Sequence, residues 1–391
     1  MSLDRRLLKL PEPTGEAAET TKRLCQIIGE RIASDGPIGF DRYMDMALYH
    51  PELGYYRNGL KRFGEGGDFI TAPELGSQFA ECLARQFDGL QPALGGDWTL
   101  LEVGAGSGVL IRDLLGAMQH PPARYMVLES SAALRQVQRE TLADLPSDLA
   151  NRVSWLDAPP AESFCGVIIA NEVADALPVS LFEITADGPM ERQVGIDGDR
   201  LGWQLAPTTG RLAAALASLL ADLPEPLPIG YRSEICLNLA PWLATVTAPL
   251  ERGLALMIDY GYPRREYYLP ERMDGTLVCH YRHRAHFDPL LWPGLCDISS
   301  FVDFTALAAA GSATGLELLG YTSQAEFLLT LELGQDLAEI EPTSRRLERA
   351  NEVRRLVMPG ELGEKFKVIG FGRDIDAALT ALCAGDRRQR L

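Results

Sequence analysis

The run Leu100–Leu115, LLEVGAGSGVLIRDLL, brings an apolar segment to an acid, Glu102, turns through Gly104, Gly106 and Gly108, and leaves as an amphipathic helix. Glycines spaced this way, with Ala105 between the first two, let backbone approach a ligand because no Cβ intervenes. Such a ligand lies at the carboxyl end of a strand and beside a helix N-terminus. A dinucleotide fingerprint needs its third glycine where this chain has Val109, which disfavours NAD and FAD. The neighbouring acids narrow the choice. A carboxylate at Glu102 would serve a phosphate poorly and a cationic group well. Glu129 ends the next apolar run, YMVLES, where a carboxylate can accept both hydroxyls of a ribose. Asp157 follows a third run and could reach an adenine amino group. A nucleoside carrying a sulfonium and an amino-acid tail suits all three, which points to S-adenosylmethionine. The blander alternative is that Glu102 and Glu129 are solvated loop acids.

A fourth apolar run, FCGVIIA, opens into NEVADALP and releases Asn171, Glu172 and Asp175 at the end of the sheet where ligands gather. Methyl transfer needs a nucleophile held in line with the methyl group. Carboxylates suit a guanidinium, whose planar donors pair with them bidentately. Asn171 or Asp175 could instead cap the following helix.

These residues must be carried by a sheet. From Trp98 onward, WTLLEV, ARYMVLE, RVSWL and FCGVIIA read as strands, with helices after the first two. Near-continuous apolar strands separated by helices indicate a parallel sheet covered on both faces. VSLFEIT, ERQVGI and RLGWQL read as an antiparallel insertion with a hairpin turn at Asp197-Gly198. GLALMID returns to the parallel style, Tyr260 to about Ser300 lacks periodicity, and DFTALAAAGSATG, LELLGY and FKVIGF add a helix and two strands. Before the core, helices are expected over Glu16–Ile32, about Phe40–Leu48, and from Pro73 to about Phe87. The division that follows is a helical N-terminal cap over 1–97 and a core over 98–391, with insertions at about 179–252 and 260–300.

A net charge of −17 over 391 residues argues against a nucleic-acid partner. LAAALASLLADL is about half a membrane span and reads as a buried helix, so no membrane insertion is expected. Seven scattered cysteines with no Cys-x-x-Cys pair fit a reducing, cytoplasmic setting. His280, His283 and His286 in CHYRHRAHFDP suggest a metal cluster at first glance, but interleaved Arg282 and Arg284 would repel a cation, and no metal is expected.

Several stretches resemble the MidA-like family of S-adenosylmethionine-dependent methyltransferases: GPIGFDRYMDMALYHPELGYY, GDFITAPELGSQF, LEVGAGSGVLIRDLL, LESSAALRQVQRETL, ANEVADALPV, IDYGY, CHYRHRAHFDPLLWPGLCDIS and GEKFKVIGF. The resemblance implies an α/β class I methyltransferase fold, Rossmann-like, with a seven-stranded sheet, a helical N-terminal segment and α+β insertions. It implies protein arginine methylation, which in mitochondrial members is symmetric dimethylation of a respiratory complex I subunit during assembly. It carries the glycine loop onto Gly104, Gly106 and Gly108, the ribose acid onto Glu129, and the acidic motif onto Asn171, Glu172, Asp175 and Pro178. It also suggests that GDFITAPE folds over the cofactor. There Gly67 would allow close approach and Asp68, Thr71 and Glu74 would supply polar groups, although Thr71 could equally cap the next helix. Three functions follow: methylation of an arginine on a partner protein, methylation of a small cationic metabolite, or an assembly role that keeps the fold. Oligomeric state is not legible.

Overall fold

The computed structural model describes residues 10–59, 71–375 and 379–391. Contacts divide the chain into two compact units, one built from Ile70–Ala174, Ala240–Pro263 and Val302–Leu391, the other from Met1–Phe69, Asp175–Leu239 and Arg264–Phe301. The N-terminal helices thus group with the insertions, whereas residues 70–97 group with the sheet.

The first unit holds an eight-stranded sheet. Its strands are β1 (Thr99–Val103), β2 (Arg124–Leu128), β3 (Val153–Leu156), β4 (Phe164–Asn171), β5 (Leu250–Tyr262), β6 (Val302–Asp303), β7 (Glu317–Ser323) and β8 (Phe366–Arg373). Seven of them run in the order β7-β8-β5-β4-β1-β2-β3, and β6 pairs only with β5. From β3 through β5 all neighbours are parallel, while β8 is antiparallel to both β5 and β7. The expected seven strands are therefore eight. β5 runs past the last residue of its β4 pairing, Ile258 opposite Asn171, and its end at Gly261–Tyr262 takes up Val302–Asp303. The central strands are apolar along their length because both faces are covered; every residue of β1 is buried.

One face is lined by Leu100, Tyr125, Val127, Val167, Ile169 and Leu256 and packs on α1 (Gln78–Asp88) and α2 (Val109–Ala117) through Phe79, Leu83, Ile111 and Leu114. Further helices of this unit are α3 (Ala132–Thr141), α4 (Phe304–Ala313) and α5 (Thr343–Val357). The helix expected from Pro73 to Phe87 is instead a 3-10 turn, Ala72–Leu75, followed by α1. Gly76 breaks it at φ 152°, and the buried Glu352 of α5 accepts the first N–H of α1, from Gln78, at 2.6 Å. Sequence order along β1 to β3 runs one way across the sheet and β4 and β5 lie on the other side. The β1/β4 border is therefore the switch point outside which ligands bind in open α/β sheets.

The second unit contains helices Gly15–Asp35, Phe40–Tyr49 and Gly210–Asp222 and two antiparallel sheets. The expected hairpin turns over two residues, with Asp197 paired to Arg200. Leu212, Leu216 and Leu219 form the buried face of the helix read from LAAALASLLADL. The segment after Tyr260 is more regular than expected: Val278–Tyr281, Arg284–His286 and Asp297–Ser299 form a three-stranded sheet. Its strands are three or four residues long, too short for periodicity to show. The tight turn is made by Arg282 and His283 at φ 50° and 58°, without the glycine that usually marks such turns.

Candidate functional site

The glycine turn leaves β1 at the switch point. Gly104, Gly106 and Gly108 all adopt left-handed φ, 68°, 53° and 83°, which glycine takes without strain. Gly104 N–H donates to Leu128 of β2 at 3.1 Å, and Gly108 N–H closes a turn on the buried Ala105 carbonyl at 2.8 Å. Gly104 itself is exposed, so its backbone is open to a ligand. A Cβ there would lie 3.1 Å from Val173 Cγ2, so the glycine turn and the Glu172 turn pack side by side.

Glu129 follows β2, and its N–H bonds to Leu156 at the end of β3. One oxygen accepts from Ser131 N–H at 2.7 Å and the other from the Gln138 amide at 3.5 Å. Asp157 comes one strand further on and is highly exposed; Arg135 binds its Oδ1 at 2.5 Å, so an ion pair holds the carboxylate read as an adenine ligand. Glu102 is buried and accepts from the Tyr125 hydroxyl at 2.6 Å. Burial pushes its carboxyl from 4.5 up to about 7, with the tyrosine hydrogen bond pulling the other way. Because the folded value lies above the unfolded one, the stability this group contributes is present below about pH 4.5 and is lost as pH rises through about 7.

If the cationic tail of the ligand lies beside Glu102, it favours the ionised form, and its binding expels a proton. Affinity for S-adenosylmethionine should then rise about tenfold between about pH 6 and about pH 8. Titration at the two pH values, repeated on Glu102→Gln, checks this, because the substitution should flatten the dependence.

At the end of β4, Glu172 takes φ 56°, a left-handed conformation uncommon outside glycine and of the kind concentrated at functional sites. Its N–H bonds to Ile258 of β5 at 2.9 Å. Its Oε1 accepts from Ala72 N–H at 3.3 Å and from the Asn171 amide at 3.2 Å. Asn171 Oδ1 is buried and has no hydrogen-bond donor among the described residues. Asp259, buried near the end of β5, accepts from Ala174 N–H at 3.0 Å and Tyr260 N–H at 2.9 Å and so pins the turn that presents Glu172. Thr71 precedes the 3-10 turn and makes no side-chain cap, while Glu74 within that turn accepts from the Ser107 hydroxyl of the glycine loop. Gly67 and Asp68 lie outside the described residues. Asp175 is buried in the second unit, with its carbonyl accepting from Ser300 N–H at 2.9 Å.

The histidines do not converge. His286 lies opposite Cys279 and Ala285 opposite His280 in the short hairpin, so strand alternation sends His280 and His286 to opposite faces. Among the described residues no group of three or more His, Cys, Asp or Glu could hold a metal.

Gln138, Trp155 and Asp259 belong to the site without being singled out by the sequence. Asp259 carried the same signal that marked Glu102 and Glu129, an acid at the end of an apolar run, LALMID. Gln138 carried none, being one polar residue of a polar helix.

The first unit thus offers exposed left-handed backbone at a strand end, a carboxylate at the end of the adjacent strand, and a buried Asn171 acceptor in need of a donor. These fit S-adenosylmethionine: the loop and Glu129 would hold the nucleoside, and Glu102 the cationic tail. Comparison with known proteins agrees on the cofactor. Residues 75–322 match the model of a family described as "Putative S-adenosyl-L-methionine-dependent methyltransferase". A Drosophila melanogaster protein named protein arginine methyltransferase NDUFAF7 homolog, mitochondrial, is 28% identical over 94% of this chain and 89% of its own. The human protein arginine methyltransferase NDUFAF7, mitochondrial, is 29% identical over 86% of this chain and 80% of its own. A Burkholderia thailandensis protein crystallised with S-adenosyl-homocysteine is 43% identical, with a TM-score of 0.90, covering 98% of this chain and 100% of that one. This chain belongs to that family of S-adenosyl-L-methionine-dependent methyltransferases.

Proposed function

We propose that the methyl acceptor is an arginine side chain of a partner protein. The observation that carries this reading is Glu172, a carboxylate presented at the end of a central strand by a strained turn whose next residue, Val173, packs against Gly104 of the glycine loop. When bound, S-adenosylmethionine supplies an electrophilic methyl group. The chain's own residues do the rest by orientation and charge. Glu129 binds the ribose, the loop backbone admits the nucleoside, and Glu172 pairs with the guanidinium so that one nitrogen faces the methyl. A cationic acceptor suits a protein of net charge −17, and the two curated relatives are named as protein arginine methyltransferases. We read the seven-strand path as the Rossmann-like class I arrangement with β6 as a local addition, and a reducing cytoplasm as the setting of the seven cysteines.

The test is to incubate the protein with S-adenosylmethionine tritiated in the methyl group and an extract of cells lacking this protein. The labelled protein fraction is then hydrolysed and its amino acids separated. Label in methylarginine is the expected result. Label confined to another amino acid, or to small molecules, overturns the reading.

A further inference from the structure

We infer that Gln138 is a positioning residue that locks the ribose carboxylate and the glycine loop into one unit. Its side chain is fully buried on α3, and three groups converge on its amide. Nε2 donates to the Gly106 carbonyl at 3.0 Å and to Glu129 Oε2 at 3.5 Å, and Oε1 accepts from Trp155 Nε1 at 2.7 Å. An indole N–H can only donate, so Trp155 fixes which end of the amide is oxygen. The two N–H groups that remain then meet two acceptors, one on the loop and one on Glu129, so both donors of the amide are used. Trp155 is itself held from outside by the Arg139 guanidinium, 4.8 Å from the ring centroid.

The same helix grips the loop again one turn on, where the Thr141 hydroxyl donates to the Ser107 carbonyl at 2.8 Å. Contact is close enough that a Cβ at Gly108 would lie 3.1 Å from Gln138 Cα. Ser131 N–H on one oxygen, reinforced by Gln138 on the other, holds the Glu129 carboxylate about its last torsion. The plane of the carboxylate is thereby aimed. Without Gln138 the carboxylate is still present but loses that aim, and the ligand group that suffers is the one Glu129 binds. The inference rests on the assignment of Glu129 to the ribose hydroxyls.

Calorimetric titration with S-adenosyl-homocysteine and with its 2′,3′-dideoxy counterpart separates aim from general damage. Wild type should prefer the ribose form by about tenfold, the worth of hydrogen bonds to a charged group. Gln138→Ala should bring the two ligands to within about twofold of each other, through loss of the ribose form. Trp155→Phe keeps an aromatic ring under Arg139 but frees the amide, so it should move the preference the same way by a smaller factor; it also decides the matter if Gln138→Ala does not fold. Equal weakening of both ligands, or an unchanged preference, overturns the positioning role. A wild type that binds both ligands equally removes the Glu129 assignment, and the inference with it.

Discussion

Changing Glu172 to glutamine lowers the rate of methyl transfer by about a hundredfold or more while leaving affinity for S-adenosyl-homocysteine within about twofold. Glutamine keeps the shape and one acceptor oxygen, so the bonds from Ala72 N–H and the Asn171 amide can persist. What disappears is the charge that pairs with a guanidinium and the second acceptor needed for bidentate grip. Initial rates of tritium incorporation and a parallel titration of the cofactor product separate these effects. A substitution confined to the acceptor should leave cofactor binding intact, because the residues assigned to the nucleoside are on other strands. Unchanged transfer would remove Glu172 from the acceptor site.

Asp259→Ala should destabilise the protein by about 2–4 kcal/mol. The carboxylate is buried and accepts from Ala174 and Tyr260 N–H, and its loss leaves a buried donor on the turn without its acceptor. That turn already stores strain, since Glu172 at φ 56° pays a backbone cost that only its surroundings maintain. Relaxation of Glu172 should follow, so the variant that remains folded should also transfer methyl groups slowly. Urea denaturation checks the first effect: the midpoint falls while the slope holds. A midpoint equal to wild type would mean that the Glu172 turn is set without Asp259.

The strands of the central sheet were legible because burial on both faces writes continuous apolar runs, as in TLLEV and FCGVIIAN. The glycine turn and the acids Glu102, Glu129 and Glu172 were legible for a related reason: polar residues at the ends of such runs stand out. Less was readable where contacts are distant in sequence. Gln138 is 32 residues from Gly106, and nothing in AALRQVQRET distinguishes it from its solvated neighbours. α5 went unread because TSRRLERANEVRRLV buries only Glu352 and Leu356, leaving no apolar stripe, yet Glu352 sets where α1 begins. The small sheet around His280 was hidden by short strands and by a turn of Arg282 and His283 in place of glycine.

The central claim is that the glycine turn holds S-adenosylmethionine with Glu129 on its ribose. Calorimetric titration of the wild-type protein and of Glu129→Ala tests it most directly. Saturable binding by wild type, weakened about ten- to thirtyfold by the substitution, is the predicted result, the loss expected when hydrogen bonds to a charged group are removed. Equal binding by the two proteins would contradict the assignment of Glu129, and no binding by wild type would contradict the claim altogether.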